Sequence, residues 1–196
     1  MTDAIFARIR AEAERERLPV MRERTALLLQ ETVEKLRPKR ILEIGTCIGI
    51  SGLTALSSCE GVLTSIEINT DLAERARSNF REAGVSERAE VLEGDCFECL
   101  KYMELNRYDL VILDGPKGHY SELLDVLKPM INENGVLFAD DVSFHGKVNS
   151  GYTEHKHRTI VRNMEEFLKK LASDRDFNVK IYDFEDGVAL AYKEKK

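Results

Sequence analysis

Seven short apolar runs, which begin near residue 40, constrain the fold more than any other feature of this sequence. The first five are separated by helix-length segments and read RILEIG (40–45), VLTSIEI (62–68), AEVLEG (89–94), YDLVILDG (108–115) and NGVLFAD (134–140). This alternation is typical of β-α-β units, so it predicts an α/β fold with a mostly parallel sheet and helices on both faces. NVKIYDF (178–184) and GVALAYK (187–193) are joined by the hairpin signal EDG (185–187), which predicts one antiparallel strand among seven.

Two helices are predicted ahead of this core. Apolar residues recur at helical spacing over residues 3–17, at Ile5, Phe6, Ile9 and Ala13. A second helix is predicted up to Pro38, with inward side chains at Leu27, Leu28, Val33 and Leu36. The length of 196 residues fits one domain (1–196), with a helical region at 1–37 and an α/β core at 38–196. Within the core, NENG (132–135) predicts a turn that leads into the fifth strand.

Charge and cysteine content narrow the classes of function. A formal net charge of -6 leaves no global basic field to attract nucleic acid, although a local basic patch remains open. No apolar run approaches the ~18 residues of a membrane helix, and the charged N-terminus lacks the features of a signal peptide. We therefore expect a cytoplasmic protein without membrane contact. Cys96 and Cys99 form C-x-x-C, but Cys47 and Cys59 are spaced too widely to complete a zinc site, so free thiols are expected.

Acidic residues stand at the carboxyl ends of the first five predicted strands: Glu43, Glu67, Asp95, Asp114 and the pair Asp140–Asp141. Ligands bind beyond these ends in sheets of this kind, so a ligand site is predicted there.

The loop after the first strand carries glycines at 45, 49 and 52, which do not follow the G-x-G-x-x-G pattern of pyrophosphate binders. The ligand is therefore expected to lack phosphates. Glu67 is placed to accept hydrogen bonds from ribose hydroxyls. Asp95 is placed to accept one from an adenine amino group or to position a neighbour.

Three of these acids indicate a metal ion. Asp114, Asp140 and Asp141 follow two strands that are expected to be adjacent in the sheet. Carboxylates should not gather unless a cation neutralises them. All-oxygen ligands suit Mg²⁺, or Mn²⁺ as a substitute, and do not indicate zinc. The sequence therefore predicts a magnesium site at the ends of these strands.

The motifs also resemble a known family. ILEIGTCIGIS (41–51), the acid at 67, EGDC (93–96) and YDLVILDG (108–115) resemble the class I S-adenosylmethionine-dependent methyltransferases, which have a Rossmann-like fold. D-x-x-K-x-x-Y at 114–120, the acidic pair at 140–141 and F-x-G-x-V at 144–148 resemble the metal-dependent O-methyltransferases of the catechol and caffeoyl-coenzyme A type. The resemblance covers residues 19–193. It implies an enzyme that transfers a methyl group from S-adenosylmethionine to a hydroxyl oxygen.

The resemblance also implies roles for individual residues. The metal would be held by Asp114, Asp140 and Asp141. The S-adenosylmethionine site would be lined by Met21, Glu43, Gly45, Ser51, Glu67, Asp95, Cys96 and Asp114. Lys117 would be the base that takes the acceptor proton, beside Asp114 as a second catalytic residue, if nearby cation charge lowers the pKa of the lysine. Two departures stand out: the usual Asp-Asn pair is Asp140–Asp141 here, and Phe144 replaces a tryptophan.

The acceptor is predicted from the resemblance alone. DGPKGHY (114–120) and HKHRTIVRN (155–163) are similar to the bacterial branch that methylates 5-hydroxyuridine at the tRNA wobble position to give 5-methoxyuridine. Basic residues that could meet phosphates are Lys147, Lys156, His157, Arg158 and Arg162, with Arg22, Arg24, Lys39 and Arg40 as additions. Lys147, Arg158 and Tyr120 are the candidate substrate residues. Alternatively, Arg158 and Arg162 form an exposed helix face, and Tyr120 only packs the following helix.

Three hypotheses remain open from the sequence. The tRNA anticodon region is the expected partner, a small catechol-like or hydroxycinnamoyl acceptor is the alternative, and a non-catalytic S-adenosylmethionine-binding module is a third. Related enzymes are often dimers with N-terminal helices in the interface. The apolar face of residues 5–13 would allow a homodimer here.

Overall fold

The computed structural model describes residues 2–143, 146, 148 and 157–195, without the side chains of residues 2 and 3. These residues form two compact units, Met1–Tyr102 and Met103–Lys196. Both predicted N-terminal helices belong to the first unit. The prediction of one domain with a boundary near residue 37 stays a prediction. None of the helices in these described residues is long and apolar enough to cross a membrane.

The first unit contains three parallel strands in the order β3-β2-β1. Its helices are α1 (Thr2–Glu16), α2 (Glu23–Leu36), α3 (Ile50–Ser57), α4 (Thr70–Glu82) and α5 (Cys96–Leu100). Its strands are β1 (Arg40–Ile44), β2 (Val62–Glu67) and β3 (Ala89–Glu93). Each strand begins at the first residue of the predicted run, at Arg40, Val62 and Ala89.

The N-terminal helices match the prediction only in part. Along α1, Ile5, Ile9 and Ala13 are buried as the spacing predicts. Along α2, however, Leu27 is 59% exposed, so its predicted inward position is wrong. The buried face of α2 consists of Thr25, Ala26, Leu29, Thr32 and Val33. A threonine fits this face because the Thr32 hydroxyl donates to the Leu28 carbonyl at 2.7 Å, which leaves its methyl group for packing.

The second unit contains four strands in the order β4-β5-β7-β6. Its strands are β4 (Tyr108–Leu113), β5 (Ile131–Ala139), β6 (Phe177–Tyr182) and β7 (Val188–Lys193). Its helices are α6 (Tyr120–Leu127) and α7 (Arg158–Ser173). β4 and β5 are parallel, whereas β7 is antiparallel to both β5 and β6. The predicted hairpin and the single antiparallel strand are therefore confirmed.

The sequence NENG (132–135) is not the predicted turn ahead of the fifth strand. It lies inside β5, which begins at Ile131. The pairing with β4 changes register there, from Tyr108 opposite Ile131 to Leu110 opposite Val136. Asn134 has φ 62°, in the left-handed region that asparagine tolerates. The turn-forming residues thus form a bulge within a strand, because the apolar pairing resumes on its far side.

Candidate functional site

The site in the first unit is organised around Glu43, at the end of β1. Its carboxyl group has no exposed surface and accepts hydrogen bonds from three hydroxyls, those of Thr46, Ser51 and Ser65. Burial raises the pKa of Glu43, and the hydrogen bonds offset only part of that shift. Glu43 was predicted to line the cofactor site. Its carboxylate holds the loop through Thr46 and Ser51, and its part in lining the cofactor site stays a prediction.

Glu67, at the end of β2, accepts two backbone hydrogen bonds. One carboxylate oxygen accepts from the Cys47 amide at 2.8 Å, and the other accepts from the Asn69 amide at 2.9 Å. A carboxylate has about four lone-pair sites, so each oxygen keeps capacity for a further donor. The arrangement fixes both oxygens beside the loop at residues 45–49, hereafter the glycine loop. A polyhydroxylated ligand such as a ribose could use that remaining capacity.

The glycine loop is also held by α4. The side-chain amide of Asn79 donates to the Ile48 carbonyl at 2.8 Å. Gly49 has φ 91°, and a Cβ placed on it would lie 3.0 Å from the Phe80 ring and 3.5 Å from the Ala76 backbone. Only glycine fits both that backbone conformation and the close approach of the helix. The loop therefore rests directly on α4.

The other predicted cofactor residues of the first unit lie on separate elements. Asp95 is the N-cap of α5, and its carboxylate accepts from the amides of residues 97 and 98 at 2.9 and 3.2 Å. This matches the expectation that it positions a neighbour, since Cys96 is the first residue of that helix. Cys96 is buried, and burial raises the pKa of its thiol. Gly45 directly follows β1, and Met21 is a buried residue in the connection from α1 to α2. Their roles in binding stay predictions.

The site in the second unit is a lysine among carboxylates. The ammonium of Lys117 lies 2.6 Å from an Asp141 oxygen and 3.5 Å from an Asp114 oxygen. Burial lowers the pKa of Lys117, but the charges of Asp114 and Asp141 outweigh this effect and leave the pKa above its ordinary value. These carboxylates alone therefore do not give Lys117 the lowered pKa that a base requires.

Asp140 has a raised pKa. Burial, followed by the charges of Asp114 and Asp141, raises its pKa to about 8. One of its oxygens accepts from the Asp141 amide at 2.7 Å. Negative charge is thus in excess around Asp140, even beside Lys117. Among the residues described, however, no three His, Cys, Asp or Glu side chains converge in an arrangement that would hold a metal ion.

Tyr120 was predicted as a candidate substrate residue, and that role stays a prediction. Its side chain is fully buried, with the ring edge-on to Phe167 at 5.4 Å between centroids. Its hydroxyl donates to the carbonyls of Leu113 and Asp140, at 3.1 and 3.2 Å. These carbonyls belong to the ends of β4 and β5. Tyr120 therefore ties together the two backbone segments that carry Asp114 and Asp141.

The predicted basic surface is only partly described. Lys147 and Lys156 lie outside the described residues, as does Phe144. Arg158 and Arg162 are exposed in the first turns of α7, which is compatible with either of their two interpretations. In the first unit, residues 22 and 24 stand at the start of α2 and residues 39 and 40 follow its end. The 14 residues of that helix span about 20 Å, which separates the two pairs, and their addition to the basic cluster stays a prediction.

Several supporting residues escaped the sequence analysis. Thr46, Ser65 and Asn79 make the hydrogen bonds that fix the glycine loop. Ser65 could have been found, since a polar residue inside an apolar run predicts a buried partner. The sequence does not indicate that Asn79 is buried, because it belongs to a polar helix face that only the packing of α1 covers. Ile68, beside Glu67, is a large apolar side chain that remains 71% exposed.

Comparison with known proteins relates the whole chain to one family. The sequence model of the O-methyltransferase family matches residues 3–194. A Dictyostelium discoideum protein named "Probable caffeoyl-CoA O-methyltransferase 1" is 24% identical over 168 residues, which cover 82% of this chain and 72% of that protein.

Two solved structures show the same fold. The O-methyltransferase from Bacillus cereus, solved in complex with S-adenosylhomocysteine, superposes with a TM-score of 0.88 at 20% identity and covers 97% of this chain and 91% of its own. TomG from Streptomyces achromogenes, an O-methyltransferase of tomaymycin synthesis solved with S-adenosylmethionine, gives 0.87 at 23% identity, with coverages of 97% and 90%. The predicted Rossmann-like fold, with seven strands of which one is antiparallel, is confirmed.

Proposed function

Because the chain belongs to the O-methyltransferase family and is therefore a methyltransferase, we propose that it transfers the methyl group of S-adenosylmethionine to an acceptor hydroxyl. The observation that carries the proposal is the half-buried ammonium of Lys117, held between Asp114 and Asp141. In the transfer, the acceptor oxygen bonds to the methyl carbon, the carbon–sulfur bond breaks, and S-adenosylhomocysteine leaves. The hydroxyl proton passes to Lys117 as the neutral amine, after its ammonium has released a proton to solvent.

The cofactor is assigned to the first unit. Glu67 accepts from the ribose hydroxyls with the lone pairs that its two backbone donors leave open. Glu43 acts indirectly, since it holds the glycine loop through Thr46 and Ser51. S-adenosylmethionine carries a sulfonium and no phosphate, which suits a loop without the glycine spacing of pyrophosphate binders. Two similar proteins have been solved with this cofactor or its product.

A divalent cation at Asp114, Asp140 and Asp141 is part of the proposal. The described side chains do not converge on one point, so the proposal rests on the chemistry of the donors. Carboxylate oxygens suit Mg²⁺, and the charges of Asp114 and Asp141 add, after burial, to the raised pKa of Asp140. When bound, the cation would lower the pKa of the acceptor hydroxyl and offset the carboxylates that keep Lys117 protonated. Lys117 would then hold and release the proton at Nζ, while Tyr120 keeps the two carboxylate-bearing segments together.

For the acceptor, we propose 5-hydroxyuridine at the tRNA wobble position. Its ring hydroxyl neighbours a carbonyl oxygen, so it offers the two adjacent oxygens that a cation chelates. Support comes from the motifs at 114–120 and 155–163, and from the exposed Arg158 and Arg162 on α7, which suit phosphates. The proposed active form is a homodimer. A small catechol-like or hydroxycinnamoyl acceptor is the alternative, favoured by the name of the Dictyostelium relative.

The role of Lys117 is tested with Lys117→Met. Cofactor affinity, measured by calorimetry, should stay at the wild-type value, while turnover should fall by about 100-fold or more. Mg²⁺ should bind more tightly to this variant, because a competing positive charge is gone. Exposed Lys101→Met serves as the matched control and should leave all three quantities unchanged. Undiminished turnover in Lys117→Met would remove this lysine from the reaction.

The acceptor is tested in cells that lack the gene. Their tRNA is digested, and the wobble nucleosides are identified by mass spectrometry. The tRNA proposal expects 5-hydroxyuridine to accumulate and 5-methoxyuridine to disappear until the wild-type gene is restored. Unchanged 5-methoxyuridine, together with methylation of catechols by the purified enzyme, would establish the small-molecule alternative.

A further inference from the structure

We infer that Asn79 is a positioning residue through which the N-terminal helix α1 strengthens cofactor binding. The inference rests on the proposed binding of S-adenosylmethionine at the glycine loop. Asn79 lies on α4, is only 5% exposed, and uses both ends of its side-chain amide. Its oxygen accepts from Arg8 of α1 at 2.8 Å, and its nitrogen donates to the Ile48 carbonyl at 2.8 Å. One buried amide therefore connects α1 to the glycine loop.

The hydrogen bonds indicate that α1 acts on the glycine loop through the side-chain amide of Asn79. Arg8 places a positive charge on the amide oxygen, which polarises the amide and strengthens donation from its nitrogen. The Ile48 carbonyl receives that donation next to Cys47, whose amide donates to Glu67. A shift at Ile48 therefore moves the donor that orients the proposed ribose acceptor.

The docking of α1 on α4 has a second, separate set of contacts. Arg8 also pairs with Glu82 of α4 at 2.7 Å, beside its pair with Glu12 within α1 at 3.2 Å. Arg75 of α4 pairs with Glu12 and Glu16 of α1. These pairs hold the helix but do not touch the glycine loop. Arg75 thus offers a matched control, since its loss loosens the same helix without removing the connection through Asn79.

The experiment measures the dissociation constant of S-adenosylhomocysteine by calorimetry, beside the thermal midpoint, in the full-length chain. Asn79→Leu and Asn79→Asp both remove the donor to Ile48, and each should weaken binding about tenfold, the effect of losing one buried hydrogen bond. Asn79→Asp keeps, and strengthens, the pairing with Arg8. Its expected loss of affinity therefore separates loop positioning from helix docking. Arg8→Met should weaken binding about threefold, with partial recovery in Arg8→Lys.

Arg75→Met supplies the decisive contrast. It should lower the thermal midpoint as much as Arg8→Met while leaving the dissociation constant within about twofold of the wild-type value. Equal loss of affinity in Arg75→Met and Arg8→Met would overturn the inference in favour of general helix docking. Wild-type affinity in folded Asn79→Leu would overturn it directly, while leaving the proposed function intact. A wild-type chain that binds neither S-adenosylmethionine nor its product would remove both proposals.

Discussion

The hydroxyl of Tyr120 lies 3.2 Å from the carbonyl oxygen of Asp140 and 3.1 Å from that of Leu113. A single buried side chain thus joins the ends of two neighbouring strands. It therefore holds the backbone segments that carry the carboxylates after those strands.

Replacing Tyr120 with Phe should lower the free energy of unfolding by about 1–2 kcal/mol, because the Asp140 carbonyl loses its hydroxyl donor. Urea unfolding measures the change. The 88% exposed Tyr102 provides the control, and its Phe variant should differ from wild type by less than about 0.5 kcal/mol. Equal stability of the two variants would show that the bond to Asp140 contributes nothing.

Replacing Glu43 with Leu should cost about 3 kcal/mol or more, because three buried hydroxyls lose their acceptor together. Glu43→Gln keeps the shape and one acceptor oxygen, and the hydroxyls can rotate to accept from its amide, so a smaller loss is expected. Chemical denaturation of both variants tests this order. A Leu variant as stable as the Gln variant would contradict it.

Asp140 predicts a particular dependence of stability on pH. Its pKa is raised from 3.8 to about 8, so the folded state binds its proton more tightly than the unfolded state does. The contribution of this group to stability is complete below pH 3.8 and is lost as the pH rises towards about 8. Urea unfolding across that window should therefore show wild type losing stability relative to Asp140→Asn, which lacks the titration. Parallel curves for the two proteins would refute this assignment.

The same proton should compete with a divalent cation. Metal ligands bind deprotonated, so the rise in thermal midpoint caused by Mg²⁺ should grow as the pH increases through about 8. Scanning calorimetry with and without Mg²⁺ at about pH 6 and about pH 9 measures it. Failure of Mg²⁺ to raise the midpoint at either pH would exclude the proposed cation.

Alanine substitutions at two glycines with positive φ should separate the energetic cost of backbone strain from that of packing. Gly84 has φ 72°, and a Cβ placed on it would meet no atom within 4 Å, so Gly84→Ala should cost about 1 kcal/mol from conformation alone. Gly49→Ala meets Phe80 as well and should cost distinctly more. It should also weaken cofactor binding, since the loop must move off α4. Equal losses of unfolding free energy would show that the contact with Phe80 relaxes freely.

The strands were predictable because their signal is local. Buried strands of a parallel sheet are continuous apolar runs, and the limits of each run indicate where the strand begins and ends. The acids at those ends were predictable for the same reason. The orientation of Leu27 was not, since two threonines supply part of the buried face of α2. The bulge in β5 was missed because pairing with β4 outweighs the turn preference of its residues.

The supporting residues of the site show a different limit. In the sequence, Asn79 is one polar residue on an amphipathic helix. Its partner Arg8 on α1 lies 71 residues away, so no local pattern indicates the contact. Tyr120 belongs to a motif that suggested catalysis, yet its fully buried ring and two carbonyl partners give it a structural task. Such roles depend on tertiary contacts and leave no periodic pattern behind.

The glycine loop has a thermodynamic consequence of its own. Thr46, Cys47 and Ile48 each have a hydrogen-bond partner outside the loop. A segment that is anchored in this way has already lost most of its conformational entropy during folding. Association with a ligand should then proceed near the rate set by diffusion and orientation rather than waiting for a segment to order.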